Sequence, residues 1–254
     1  MKAVIGGTFE LPLWALSASM RWDSLGESHP VLAGQPDWQG PGQTTEIDAR
    51  AREVLAAVGL YQGDRLDPRF RDALVVLTRP SVEFSCWATD AQGPYRILVA
   101  AIGSDAVALS RAGDLVRLQP ARPDALAEDL VAMLPDTQPA KAHALNVPRS
   151  TFDNLLNPAP GGTTGRRADE HAAKQLRAAL ELPRTHTAEL HAATRDRSGA
   201  RNPAGRATVL DTAKGRWLIR SKQNGAKGDD WIVATPATPR LLIDTLYELR
   251  TSAR

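Results

Sequence analysis

The hydrophobic pattern changes period at Ser81. In Val-Glu-Phe-Ser-Cys-Trp-Ala-Thr, Val82, Phe84, Cys86 and Ala88 fall on one side and Glu83, Ser85, Trp87 and Thr89 on the other, the two-residue alternation of a β-strand. After the Asp90–Tyr95 turn, residues 96–102 and 106–111 flank Gly103-Ser104-Asp105, which predicts a hairpin. A fourth strand over 114–118 is closed by Pro120, because proline cannot donate to a ladder. Pro123 then opens a helix whose Leu126, Leu130, Met133 and Leu134 share an apolar face. Two helices are predicted upstream. One covers about 46–58, with Glu46 in its first turn and Gly59 at its stop; the other covers 67–78, with Asp67 as N-cap and Pro68 at the first helical position.

The second half repeats this order. A helix over 168–182 precedes a strand at 186–194, a long loop at 195–206, and a strand at 208–212. A turn at Ala213-Lys214-Gly215, a strand over 216–221, a Gly/Lys/Asp loop and a strand over 230–235 follow. The closing helix carries Leu242, Leu246 and Leu249 on one face. Pro120-Ala121-Arg122-Pro123 recurs as Pro236-Ala237-Thr238-Pro239, 116 residues on, each with an aspartate (Asp114, Asp230) six residues earlier. The shared order predicts an internal duplication, about 66–135 and 168–251, within a single domain covering 1–254. Residues 136–165 are rich in proline and glycine and read as a connector with a short helix at most. The fold class is therefore α+β: a central antiparallel sheet from two helix–meander–helix modules with quasi-two-fold symmetry, flanked by helices. Four strands with one apolar face cannot bury it alone, so the copies must pair edge to edge or face to face.

Composition narrows the function. With 43% hydrophobic and 24% charged residues among 254, the chain is an ordinary globular one. No apolar run approaches the ~20 residues of a membrane span, so no membrane insertion is expected. The start has one basic residue and an apolar stretch broken by Glu10 and Pro12, which argues against a secretory signal. Cys86 is the sole cysteine; it excludes an internal disulfide and reads as a small buried apolar residue in a reducing cytoplasm. A net charge of +2 does not demand nucleic acid. The densest basic stretch, 195–206, lacks the aromatics that stack on bases.

No catalytic, cofactor or metal site is expected. Residues 161–167 share only glycines with a phosphate loop, and 3–7 are not followed by G-x-G-x-x-G. The five histidines form no H-E-x-x-H, and there is no second cysteine. His191 alternates with Glu189, as in a solvated polar row. Binding is the better expectation. Trp22, Trp38, Trp87, Trp217 and Trp231 lie in or beside loops and strand faces. Trp87 and Trp217 sit opposite the alternating core positions, where either helices of the same chain cover them or they anchor a partner.

The run from Arg79 to Pro135, with its turn into Tyr-Arg-Ile-Leu-Val-Ala-Ala-Ile-Gly, its Asp-Leu-Val-x-Leu strand and its helix ending at Leu-Pro, resembles the EspG family. So does 211–249, where Asp-Thr-x-x-Gly-Arg-Trp precedes a strand and Pro-Ala-x-Pro opens the last helix. The resemblance implies a cytoplasmic chaperone of the type VII (ESX) secretion systems of actinobacteria. Such a protein would hold the helical tip of the PPE subunit in PE–PPE heterodimers through its sheet, a loop between early strands and its C-terminal helices. The positions that correspond are Asp90, Gln92 and Tyr95 of the early turn with Trp87 and Arg96 beside it; Trp217 joins them as the second aromatic on that face. No cofactor is implied, and self-association is left open. Three other readings stand beside this one: a protein-binding scaffold with a different partner, an enzyme whose site is assembled from scattered residues in a deep pocket, and a nucleic-acid binder using the arginines of 195–206.

Overall fold

The computed structural model describes residues 4–33, 41–157, 166–223 and 230–252. Trp38, the glycines at 161–165 and most of the loop at 222–229 lie outside them. In chain order the elements are β1 (Phe9–Pro12), α1 (Leu13–Trp22), α2 (Pro41–Ala57), β2 (Tyr61–Gln62), β3 (Arg65–Leu66) and α3 (Pro68–Thr78). The first meander follows as β4 (Val82–Asp90), β5 (Gly93–Ile102), β6 (Asp105–Ala112) and β7 (Leu115–Pro120), with α4 (Leu126–Ala132) after it. Next come β8 (Leu145–Pro148), α5 (Arg149–Leu156) and α6 (Arg167–Leu180). The second meander is β9 (Arg184–Arg195), β10 (Arg201–Thr212), β11 (Gly215–Lys222) and β12 (Trp231–Pro236), closed by α7 (Pro239–Ser252).

Ten strands form one antiparallel sheet in the order β1-β7-β6-β5-β4-β9-β10-β11-β12-β8. The meanders join edge to edge, β4 against β9, from Val82 opposite Thr194 to Asp90 opposite His186. That seam hides the edge each meander would otherwise expose. The outer edges belong to four-residue strands ending at Pro12 and Pro148, too short to template another chain.

Each face of the sheet has its own cover. On the first face, Phe84, Cys86, Ile97, Val99, Leu190, Val209 and Leu218 pack beneath α4 and α7. On the second, Leu98, Ala100, Val107, Leu109 and Val116 lie under α1 and α3, whose Leu16, Phe70, Leu74 and Leu77 are buried there. The far end of this second face, Leu210, Trp217, Ile232 and Ala234, is covered by Phe152 of α5 and Ala173 and Leu176 of α6. Local chemistry agrees with these elements. The Asp67 carboxylate accepts the N–H groups of Arg69 and Phe70 at 3.0 and 3.1 Å, an N-cap with proline behind it. Gly59, at φ +77°, ends α2 while the Leu60 N–H reaches the Leu55 carbonyl, as at a left-handed helix stop.

Four expectations need correction. Residues 136–165 do not merely connect: β8 extends the sheet beside β12, with Val147 fully buried, and α5 follows at once. The long loop at 195–206 shrinks to a tight hairpin turn, because the Asp196 carboxylate accepts the N–H groups of Ser198 and Ala200 at 2.8 and 3.0 Å. Pro123 opens a turn and α4 begins only at Leu126; Asp129 reaches back to the Arg122 N–H and guanidinium and holds that turn. Only the second junction begins as expected, with Pro239 first in α7 and the Thr238 hydroxyl accepting the Leu241 N–H. Finally, the start of the chain supplies an edge strand and a helix, β1 and α1, that no alternation announced.

Candidate functional site

Between the two helical covers, the second face carries a band of side chains that neither apolar cluster buries. Strand register places Arg111, Arg96, Trp87, Glu189, Thr208 and Ile219 in one row across β6, β5, β4, β9, β10 and β11. Thr89 and Thr187 form the next row towards the β4–β5 turn, and His191 and Arg206 lie on the other side. Trp87 is half-buried at the rim of the N-terminal cluster and meets His191 edge-on, with ring centroids 4.8 Å apart. Among the described residues, Glu189 has loose partners in His191 at 3.6 Å and Arg206 at 3.8 Å. Burial holds the His191 ring below its ordinary range, and the nearby Glu189 carboxylate offsets part of that. The band is a shallow groove: an aromatic floor, a carboxylate and a histidine beside it, and guanidinium groups at one end.

The six residues read from the sequence do not form one patch. Trp87 and Arg96 are cross-strand neighbours in the groove. Asp90 and Gln92 mark the β4–β5 turn, where the Asp90 carboxylate accepts the Gln92 N–H at 2.8 Å, and both line the same cleft as Tyr95. Tyr95 points to the opposite face. It lines a cleft of about 650 Å³ between the sheet and the end of α4, with Glu10, Arg117, Leu115 and Met133. Trp217 is only 5% exposed beneath α5 and α6, so its ring is core and not a partner anchor. The alternation placed it on this face; the helices laid over it decided its role. Arg96 has a structural duty as well. Its Nη1 donates to the carbonyls of Pro30, Val31 and Ala33 at 3.1–3.3 Å and clamps the turn that walls the groove. Arg111, Thr187 and Thr208 were not singled out by sequence reasoning; Arg111 joins the row through β5, while Thr187 and Thr208 come to it only through the pairing of β4 with β9.

Residues 13–248 match the EspG family. The chain belongs to that family. No curated protein matches it. Among solved structures, it is similar to the Mycobacterium tuberculosis type VII secretion system chaperone EspG5 in complex with a PE25–PPE41 dimer. The TM-score is 0.71 at 15% sequence identity, over 97% of this chain and 98% of that one.

Two buried polar networks flank the groove in this EspG-family chain, one on the same face of the sheet and one on the other. Val31 N–H donates to His29 Nδ1 at 3.1 Å, so the proton on that ring sits at Nε2 and is donated to Glu83 at 2.9 Å. Arg201 also binds Glu83, at 2.6 Å. Burial pushes the Glu83 carboxyl up, but His29 and Arg201 together bring it below its usual range. The second network joins Tyr95, His186, Asp211 and Arg216. The Tyr95 hydroxyl lies 2.8 Å from His186 Nε2, and His186 Nδ1 lies 3.1 Å from Asp211. Arg216 binds both oxygens of Asp211 at 2.7 Å and donates to the Pro135 carbonyl at 2.8 Å. A tyrosine–histidine–aspartate chain can relay protons. Here burial raises the Asp211 carboxyl while Arg216 and His186 overcome it and hold it at about 2, so the aspartate is committed to the arginine. The thiol of Cys86 is inert, pushed up to about 12 by burial.

Proposed function

We propose that this EspG-family chain is a cytoplasmic type VII secretion chaperone that binds the PPE subunit of a PE–PPE heterodimer, keeping it soluble and directing it to secretion. The observation that carries the reading is the family match across 13–248. The likeness to a chaperone solved with a PE–PPE dimer supports it, as does a groove that offers an aromatic ring beside charged groups. In this reading Trp87 covers an apolar side chain at the cargo tip, and the charged groups around it set specificity. An interface of standard size, ~1,600 Å², is sufficient, and binding alone suppresses aggregation by mass action without nucleotide. The protein works by binding rather than by catalysis. No helix among the described residues is long and apolar enough to cross a membrane.

We also read the chain as one domain grown by duplication, with 66–135 and 168–251 related by a quasi-two-fold axis at the β4–β9 seam. Each half runs helix, four strands, helix, and each meander gains one outer strand, β1 or β8.

The test is co-expression with the PE–PPE pair encoded nearest its gene, followed by size-exclusion chromatography. A stoichiometric ternary complex, with the pair aggregating when expressed alone, is the expected result. A soluble pair that elutes apart from the chain excludes that cargo, and failure with every encoded pair overturns the reading.

A further inference from the structure

At one end of the groove, two arginines form no salt bridge among the described residues. Arg96 and Arg111 face each other across β5 and β6, and like charges directly opposite in a sheet repel. Both reach over the same turn: Arg111 Nη1 donates to the carbonyls of Val31 and Ala33 at 3.3 and 2.9 Å, two of the three that Arg96 also takes. Arg111 Nε donates to the Gly113 carbonyl at 2.9 Å. These acceptors are neutral. Asp114 acts on Arg111 through space, and burial together with Arg96 still disfavours the Arg111 charge. Both side chains are partly exposed. Two guanidinium groups side by side, partly exposed and held by neutral carbonyls, make a site for a carboxylate.

We propose that the Arg96–Arg111 pair binds an acidic side chain of the cargo and so fixes the direction in which the cargo lies along the groove. The inference rests on the chaperone reading and names the partner chemistry at one end of the same site. Charge order along the row supports it: two cations, then Trp87, then Glu189. Neighbouring strands are about 4.8 Å apart, so Arg96 and Glu189, two strands apart, are separated by about 10 Å. A helix laid across the strands matches that with an acid at i, an apolar side chain at i+3 or i+4, and a donor or base near i+7, at about 1.5 Å per residue. The reverse orientation would set acid against Glu189 and base against the arginines.

The experiment measures the affinity of the PE–PPE pair for wild type, Arg96→Gln, Arg111→Gln and Arg96→Lys at low and high salt, with thermal unfolding of each. Each aspartate and glutamate of the PPE subunit is neutralised in turn. The expected result is a loss of about tenfold for each glutamine variant, largely restored by Arg96→Lys. The wild-type affinity should fall with salt more steeply than that of the variants. One cargo acid should give the same loss when neutralised, and combining it with Arg111→Gln should add little. Wild-type affinity in both glutamine variants overturns the inference and leaves the chaperone reading intact. So does a loss that couples to no cargo acid, which assigns the arginines to the turn alone. Failure of wild type to bind any pair overturns both.

Discussion

Replacing Arg216 by methionine tests how firmly the second polar network holds the fold. The side chain is 2% exposed and its partner Asp211 is fully buried. Removing the guanidinium strips Asp211 of both of its 2.7 Å charge-assisted bonds and leaves it with His186 and Thr137 at 3.1 Å. Breaking a buried pair from one side costs about 3–5 kcal/mol, a large part of the ~5–15 kcal/mol that holds a domain together. The pH dependence follows from the same groups. In the wild type the depressed Asp211 carboxyl, at about 2 against an ordinary 3.8, contributes about 2 kcal/mol. Because the folded value is lowered, that contribution is complete above the ordinary value and is lost as pH falls through 2. In Arg216→Met the lone buried carboxyl shifts upward, so its penalty is present at neutral pH and is relieved by protonation. The gap between the proteins should therefore narrow from pH 7 to pH 4. Urea unfolding followed by circular dichroism at several pH values measures it, and Arg216→Met combined with Asp211→Leu should recover part of the loss. A loss below about 1 kcal/mol at pH 7, or one unchanged by pH, would refute the argument.

Three further outcomes follow from single residues. Gly215→Ala places a Cβ 2.7 Å from the Ala140 backbone at φ +109°; a loss of at least about 2 kcal/mol is expected in thermal unfolding, and near-wild-type stability would contradict the close packing of 138–140 on β11. Asp67→Ala removes the cap of α3 and should cost about 1 kcal/mol with no effect on cargo binding, measured by denaturant titration beside a binding assay. Trp87→Ala should weaken the PE–PPE complex by about 30-fold or more in titration calorimetry; unchanged affinity would remove the groove from the proposed function.

The strands of both meanders were legible because burial in a sheet writes itself as alternation: Phe84, Cys86 and Ala88 declared one face of β4 without any knowledge of its neighbours. The Asp67-Pro68 helix start was legible for the same reason, since a cap is chemistry among residues adjacent in sequence. The opposite face of β4 reads as polar, yet Glu83 and Ser85 are buried there as fully as the core. What makes that possible is His29, 54 residues away, and Arg201, 118 residues away, and no local pattern contains such partners. The four residues of β8 were hidden among prolines, because an edge strand that ends at proline has too few positions to alternate. Trp87 and Trp217 occupy equivalent faces of their strands, and only the covering helices separate a groove residue from a core residue. The sequence by itself determined the two meanders, the helices before and after them and the order of these elements, all properties of neighbours along the chain. Tertiary structure alone decided that the meanders meet edge to edge at β4 and β9. The groove is completed by that seam: the β4–β5 hairpin sets Arg96 beside Trp87, and hydrogen bonds between strands about 100 residues apart add Glu189 to the row.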